Sequence, residues 1–488
     1  MAMGSSHSQS QTASNDGSRA TGVEGGKAFP IPTGMSLSHW LQGVRASRLL
    51  DHRTTEALPA SADVVIIGSG MSGTLTAYEL LTRPNPPKSI VILEARELCS
   101  GATGRNAGHC KPDQYRGFGK YGKLFGEEQA KKLLEHELET WTRLVEFVEK
   151  EKVECDLWVG DTLDVAMSQG VADKALAVFE AYKAYGGKVD HIKYISDPIE
   201  AEKVSRLKGA QALWAWKAST LYPWKLVAHL MNTCLSKGLN LQTWTPVTSV
   251  TASQATAGRW DVHTARGAIR TPTVVYATNA YTSAILPAFA KYIQPTAHMC
   301  NRVVPPRAFA GSHALQHSYG VLAAGGGLYS INPRCSSDGI VLFGGSNPNQ
   351  GQLKAYLDAD PARLFDDGLS NFKPVTDAVN DLTAAAFEGW NEDAPAPGVG
   401  PDYAWSGIIG LSADSLPFIG ALPDLPGQWI CAGFHGHGMA HIFTCAPGLV
   451  TLMQGGTWAD TGLPECLELT TERLQKIGDT PNFNKPVV

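Results

Sequence analysis

The stretch that most constrains this chain runs from Ala62 to Glu94. Ala62, Val64, Val65, Ile66 and Ile67 form a largely β-branched segment, apolar on both sides and too short for a helix, as a central parallel strand requires. The hexapeptide GSGMSG (Gly68 to Gly73) follows at once, Thr74 to Leu81 has helical character, and Ile90 to Leu93 reads as a second strand ending in Glu94. Strand, helix and strand in that order make a βαβ unit and point to a parallel sheet. Each glycine has a use there: Gly68 permits a tight turn, Gly70 lets the backbone approach a pyrophosphate, and Gly73 lets the helix pack close with its positive end toward the phosphates. Glu94 is placed to accept hydrogen bonds from a ribose diol and repels a 2′-phosphate, so an adenosine ribose is expected rather than NADP. A second match, GFGKYG from Gly117 to Gly122, follows polar Asp113 to Arg116 instead of a strand and reads as a loop. With no second fingerprint in a proper setting, no separate NAD(P)H domain is expected.

The 488 residues leave room for two or three packed units. Forty-one basic residues against 46 acidic give a net charge of -5, hence no positive field to attract nucleic acid. No apolar run reaches membrane-spanning length; the longest, Ile442 to Met453, is interrupted by Thr444, Pro447 and Gly448. The nine cysteines are scattered without a C-x-x-C pair, so they read as reduced thiols, and no metal site is expected. Without a recognisable secretion or peroxisomal signal, a cytoplasmic location is expected. Residues 1–26 are polar and small and are expected to form a disordered tail, followed by an extension over 27–59 with an amphipathic helix around Ser36 to Leu50. Helices are expected over Glu127 to Glu151 and Ala172 to Tyr185, mainly antiparallel sheet from Pro287 to Gly345, and a linker or surface loop from Asn391 to Pro401.

Three further blocks stand out: Ser100 to His109 (SGATGRNAGH), Trp405 to Gly420, and Trp429 to Met439. The first is small and polar, so its backbone can lie against a planar ring. Together with the βαβ unit, these blocks resemble the FAD-dependent oxidoreductases of the D-amino-acid-oxidase type, which include sarcosine, glycine and glutamylputrescine oxidases. The resemblance implies an α/β fold: a Rossmann-like FAD-binding domain with a central parallel sheet (60–111, 219–285 and 403–456), a substrate domain with a mainly antiparallel sheet (112–218 and 286–402), and a carboxy-terminal extension (457–488). It implies that Gly68, Gly70, Met71, Ser72, Gly73, Glu94, Ala95 and Arg96 hold the adenosine diphosphate half of FAD. Gly101, Ala102, Thr103, Arg105, Asn106, Ala107, Gly108 and His109 would line the isoalloxazine, and Gly433, Phe434, His435, Gly436, His437, Gly438 and Met439 would cover its pyrimidine edge. Val247 would sit near adenine, and Thr278 in a loop touching FAD. An apolar helix from Ala440 to Met453 would point its amino terminus at the flavin.

Some relatives attach flavin through a cysteine or a histidine; the corresponding places here look like Gly407 and Arg105, so noncovalent FAD is expected, with His109 and Cys110 nearby. The resemblance implies oxidation of a C–N bond in a small-molecule amine, with hydride passing from the α-carbon to flavin N5 and dioxygen reoxidising the flavin to give hydrogen peroxide. Candidate catalytic residues are His109 and His437, which can place positive charge near reduced flavin, and Tyr329 and Arg334, which can bind a carboxylate or close over the ring. His435 and Arg302 belong to the same two groups. Alternatives are a dehydrogenase or oxidative cyclase using another electron acceptor, and a non-catalytic binding protein on the same fold.

Overall fold

The computed structural model describes residues 23–24, 27–391 and 398–479. Residues 1–22, most of the expected tail, lie outside the described residues, as do 392–397 of the expected linker. Val23–Glu24 pairs with Lys27–Ala28 in a short antiparallel hairpin.

The βαβ unit is present as strand Val64–Ile67, helix Met71–Thr82 and strand Ile90–Leu93, both strands buried along their whole length. They belong to a six-stranded sheet in the order Phe418–Ala421, Gln428–Ala432, Thr273–Tyr276, Val64–Ile67, Ile90–Leu93, Asn240–Gln242. All neighbours in it are parallel except the first pair. Helices cover such a sheet because both its faces are apolar. Met71–Thr82 packs against Pro223–Ser236 and Ile442–Met453, and Gly73 lets its first turn lie close to the fingerprint turn, since a Cβ there would lie 2.1 Å from the Gly68 carbonyl oxygen.

A second, nine-stranded sheet runs Gly400–Ser412, Ile293–Val304, Val341–Gly344, Leu328–Pro333, Ser318–Leu322, Trp158–Ala166, Ala212–Thr220, His109–Cys110, with Lys193–Ile195 also paired to Ala212–Thr220. Its one parallel pair is Ser318–Leu322 with Trp158–Ala166. The strand Gly400–Ser412 thus runs in this sheet, although the sequence reading grouped residues from 403 onward with the cofactor segments. His109–Cys110 joins the two parts of the molecule, because the ring-facing block ends by pairing with Ser219 and Thr220.

Several local expectations need correction. The helix expected over Ser36 to Leu50 is only His39–Gln42, capped by the Ser38 hydroxyl and followed by turns. The second glycine motif is not a loop: Phe118–Phe125 is helical, and the Asp113 carboxylate accepts the backbone N–H groups of Tyr115, Arg116 and Gly117 just before it. The helix expected from Ala440 starts at Ile442, after a single 3-10 turn over Gly438–Ala440. The long helix Glu127–Lys150 and the helix Gln169–Ala184 lie where periodicity places them. No helix among the described residues is long and apolar enough to cross a membrane.

Candidate active site

A cavity of about 320 Å³ runs from the glycine fingerprint to the nine-stranded sheet. At the fingerprint end, Gly68 has φ +108°, and a Cβ there would come within 2.6 Å of the Ala277 carbonyl oxygen. Gly70 caps the helix without a side chain, and the first-turn Met71 N–H points at the Thr103 hydroxyl, 3.1 Å away. Glu94 sits at the end of its strand, its carboxylate accepting from the Ser69 N–H (3.0 Å), the Ser69 hydroxyl (2.7 Å) and the Arg96 N–H (3.0 Å).

The ring-facing block is held from three sides. The Trp405 indole N–H donates to the Arg105 carbonyl (2.7 Å), the Trp40 indole to that of Asn106 (2.6 Å), and the Asn332 amide to that of Ala107 (2.9 Å). Gly108 fits between them at φ +83°, where a Cβ would strike Trp40, the Leu221 carbonyl and Asn332 within 2.9 Å. Beneath the block, Asp367 lies between two arginines: Arg96 grips it bidentately at 2.9 and 2.8 Å, and Arg105 Nε is 3.1 Å away. Burial works against both charges; Asp367 nevertheless holds Arg96 above its ordinary value, while burial and the neighbouring Arg96 leave Arg105 lowered. The Asp367 carbonyl also accepts from the Ser36 N–H and hydroxyl, and Phe29 and Pro30 of the same segment line the cavity.

Of the residues nominated from sequence, Gly68, Gly70, Met71, Ser72, Glu94, Ala95, Arg96, Gly101, Ala102, Thr103, Arg105, Asn106, Ala107, His109, Val247, Thr278, Phe434, Gly436, His437, Gly438 and Met439 line one cavity. Gly73, Gly108, Gly433 and His435 stand behind the wall. A Cβ at Gly433 would meet Ile293 at 2.9 Å, and His435 is buried with its Nδ1 accepting the Ser412 N–H. Two catalytic candidates are not brought to the cavity. Tyr329 is buried in a core cluster beside the nine-stranded sheet, with its hydroxyl donating to the Ala378 carbonyl, and Arg334 stacks on Trp40 and Tyr222 while paired to Asp156 and Asp338. Leu328 and Ser330 line the cavity, so Tyr329 takes the other face of the strand, and Arg334 is engaged by two carboxylates. Arg302 likewise faces Asp402 and Gln42.

The sheet end of the cavity is lined by residues that sequence reasoning missed. Lys111 Nζ lies 2.5 Å from Asp164 Oδ1, and Arg116 Nε 2.8 Å from Oδ2 of the same fully buried carboxylate. Burial lowers Lys111 although Asp164 opposes the shift. Alternation from His109 puts Lys111 on the same side of the chain, the one sequence signal that finds it. His109 itself is pushed down to about 3 by burial and by the Lys111 charge, so it faces the cavity as a neutral ring, with Nε2 on the Ile331 carbonyl at 3.2 Å. His298, on strand Ile293–Val304, also lines the wall and is lowered to about 4 by burial. On the far side, His437 Nε2 lies 2.8 Å from the buried Glu137 carboxylate, which raises the imidazole despite its burial.

The wall suits a flavin dinucleotide. Arg105 Nη2, Ser100 Oγ and the Tyr281 hydroxyl belong to lining residues, yet each is buried without a hydrogen-bond partner. Such donors, a side-chain-free helix amino terminus and an acid at the end of the second strand fit a dinucleotide-binding protein with one mainly parallel and one mainly antiparallel sheet. A family model for FAD dependent oxidoreductases matches residues 63–450, and the chain belongs to that family. Its cofactor is therefore FAD. The chain is 25% identical over 389 residues to the probable oxidoreductase OrdL of Haemophilus influenzae, covering 78% of this chain and 80% of that protein. It is also 25% identical over 225 residues to gamma-glutamylputrescine oxidoreductase of Escherichia coli, covering 45% of this chain and 50% of that one. Among solved structures, glycine oxidase from Geobacillus kaustophilus superposes with a TM-score of 0.65 at 18% identity, over 85% of this chain and 99% of that one.

Proposed function

We propose that this enzyme oxidises a C–N bond of a small amine that carries a carboxylate, with noncovalent FAD as the acceptor and dioxygen as the final oxidant. The observation that carries this reading is a single cavity whose wall holds the nucleotide fingerprint at one end and Lys111 and Arg116 at the other. FAD, when bound, would supply a two-electron acceptor for the hydride of the α-carbon, the imine product would be hydrolysed by water, and the two electrons with two protons would pass on to dioxygen as hydrogen peroxide.

The chain's own residues supply position and charge. Lys111 and Arg116 both line the cavity, and although Asp164 pairs with both and Asp113 lies near them, their remaining N–H donors fit a substrate carboxylate. His109, neutral and anchored through Nε2, offers Nδ1 as an acceptor beside Ser330 and can receive an amine N–H rather than take its proton. The clamped carbonyls of Arg105, Asn106 and Ala107 keep the ring-facing backbone fixed, so little reorganisation is needed on binding. Gly407, where a Cβ would lie 3.0 Å from that of Arg105, leaves with Arg105 no nucleophile at either place where relatives bond flavin, which supports noncovalent attachment.

The test is a panel of N-alkyl amino acids, cyclic imino acids and uncharged amines mixed anaerobically with the yellow holoenzyme, followed by admission of air. Bleaching of the flavin by amino acids, with peroxide released on aeration, is the expected result. Bleaching without peroxide would assign a dehydrogenase, and no bleaching by any amine would remove the C–N assignment. Acid denaturation should release all the flavin into the supernatant.

A further inference from the structure

Glu137, in the middle of helix Glu127–Lys150, is completely buried, yet its Oε1 makes no hydrogen bond. Its Oε2 accepts the Asp113 N–H at 2.6 Å and lies 2.8 Å from His437 Nε2; its bare Oε1 faces His441 Nε2 at 3.7 Å. Around it, the Thr444 hydroxyl lies 2.6 Å from His136 Nε2 and 2.7 Å from the Thr140 hydroxyl, and His136 Nδ1 faces His441 Nδ1 at 3.4 Å. In the tautomer in which His441 Nδ1 donates to His136, His441 Nε2 presents a lone pair to the unpartnered Glu137 oxygen, and a cation between the two buried acceptors would satisfy both.

We propose that Glu137, His437 and His441 form a binding site for a divalent transition-metal ion of the zinc type. The three ligand atoms lie within 4.8 Å of one another. A gap of 3.7 Å between Glu137 Oε1 and His441 Nε2 is what two bonds of about 2.0–2.1 Å span at an angle of about 125–135°. Two imidazoles and one carboxylate suit zinc, cobalt or iron rather than calcium or magnesium. The outer contacts are of the kind that orient metal ligands: the second nitrogen of His441 faces His136 Nδ1 at 3.4 Å, and the carboxylate accepts the Asp113 N–H. The cavity that His437 lines provides a route in for the ion. An ion there would tie the long helix to the segment Gly438–His441, and the proposal does not depend on the identity of the flavin substrate.

The experiment uses the FAD-loaded protein, stripped with a chelator, dialysed and titrated with cobalt chloride, following d–d absorption beyond the flavin band and cobalt content by mass spectrometry. One cobalt per chain, displaced by zinc, is expected, with at least about tenfold weaker binding in His441→Ala and in Glu137→Gln. Absence of saturable cobalt binding by the wild-type protein overturns the proposal whatever the variants do. So does equal binding in folded variants, which would place the ion on surface histidines, or an anomalous peak in zinc-soaked crystals away from Glu137.

Discussion

The two ends of the cavity are built by different rules. At the nucleotide end, Gly68, Gly70, Met71 and Ser72 come from one turn, and Glu94 from the end of the neighbouring strand, so a contiguous motif carries the chemistry. At the sheet end, Lys111, Arg116, His298 and Ser330 come from separate segments and meet through strand pairing and burial. A βαβ turn constrains its own sequence, whereas an antiparallel sheet constrains only which face each residue takes. The first end is legible from a contiguous motif, and the second only from the assembled sheet.

The comparison can be broken most severely at the first end. Gly70→Glu should give folded but colourless protein, because a carboxylate would occupy the pyrophosphate position; retained flavin absorbance would separate the fingerprint from FAD binding. Asp367→Ala is next, since it leaves Arg96 and Arg105 buried and unpaired. A loss of about 3–5 kcal/mol is expected in denaturant unfolding. At the second end, Lys111→Met should raise KM for a carboxylate-bearing amine by ten- to a hundredfold, about 1.5–3 kcal/mol, and leave uncharged amines nearly unaffected. Because burial lowers Lys111, KM for the acid substrate should also climb with rising pH before an ordinary lysine titrates, as the ammonium loses its proton. The smallest effect is expected from Tyr329→Phe, which removes one hydrogen bond on the strand face turned away from the cavity: no change in turnover and a stability loss of about 1 kcal/mol.

The parallel strands, the glycine turn and the long helix were legible because each obeys a local rule of period or turn chemistry. The start of helix Ile442–Met453 was misread by part of a turn, because glycines at 436 and 438 favour an irregular approach. Tyr329 and Arg334 were nominated for side-chain chemistry alone, and strand alternation does not say which face points at a ligand until the partner strands are known. Glu137 was invisible for another reason. A carboxylate in an amphipathic helix looks like part of a solvated face, and only the packing of residues some 300 positions away buries it against His437.

The order of strands in the six-stranded sheet carries a consequence for biosynthesis. Gln428–Ala432 flanks Thr273–Tyr276, which in turn flanks Val64–Ile67, so the cleft floor draws on pieces made early, midway and late in translation. The sheet beneath the fingerprint turn is complete only once its last strand, Gln428–Ala432, has been made and has paired. Shortage of riboflavin during expression should therefore be felt as poor yield of folded protein, and supplementation should rescue it after chain completion.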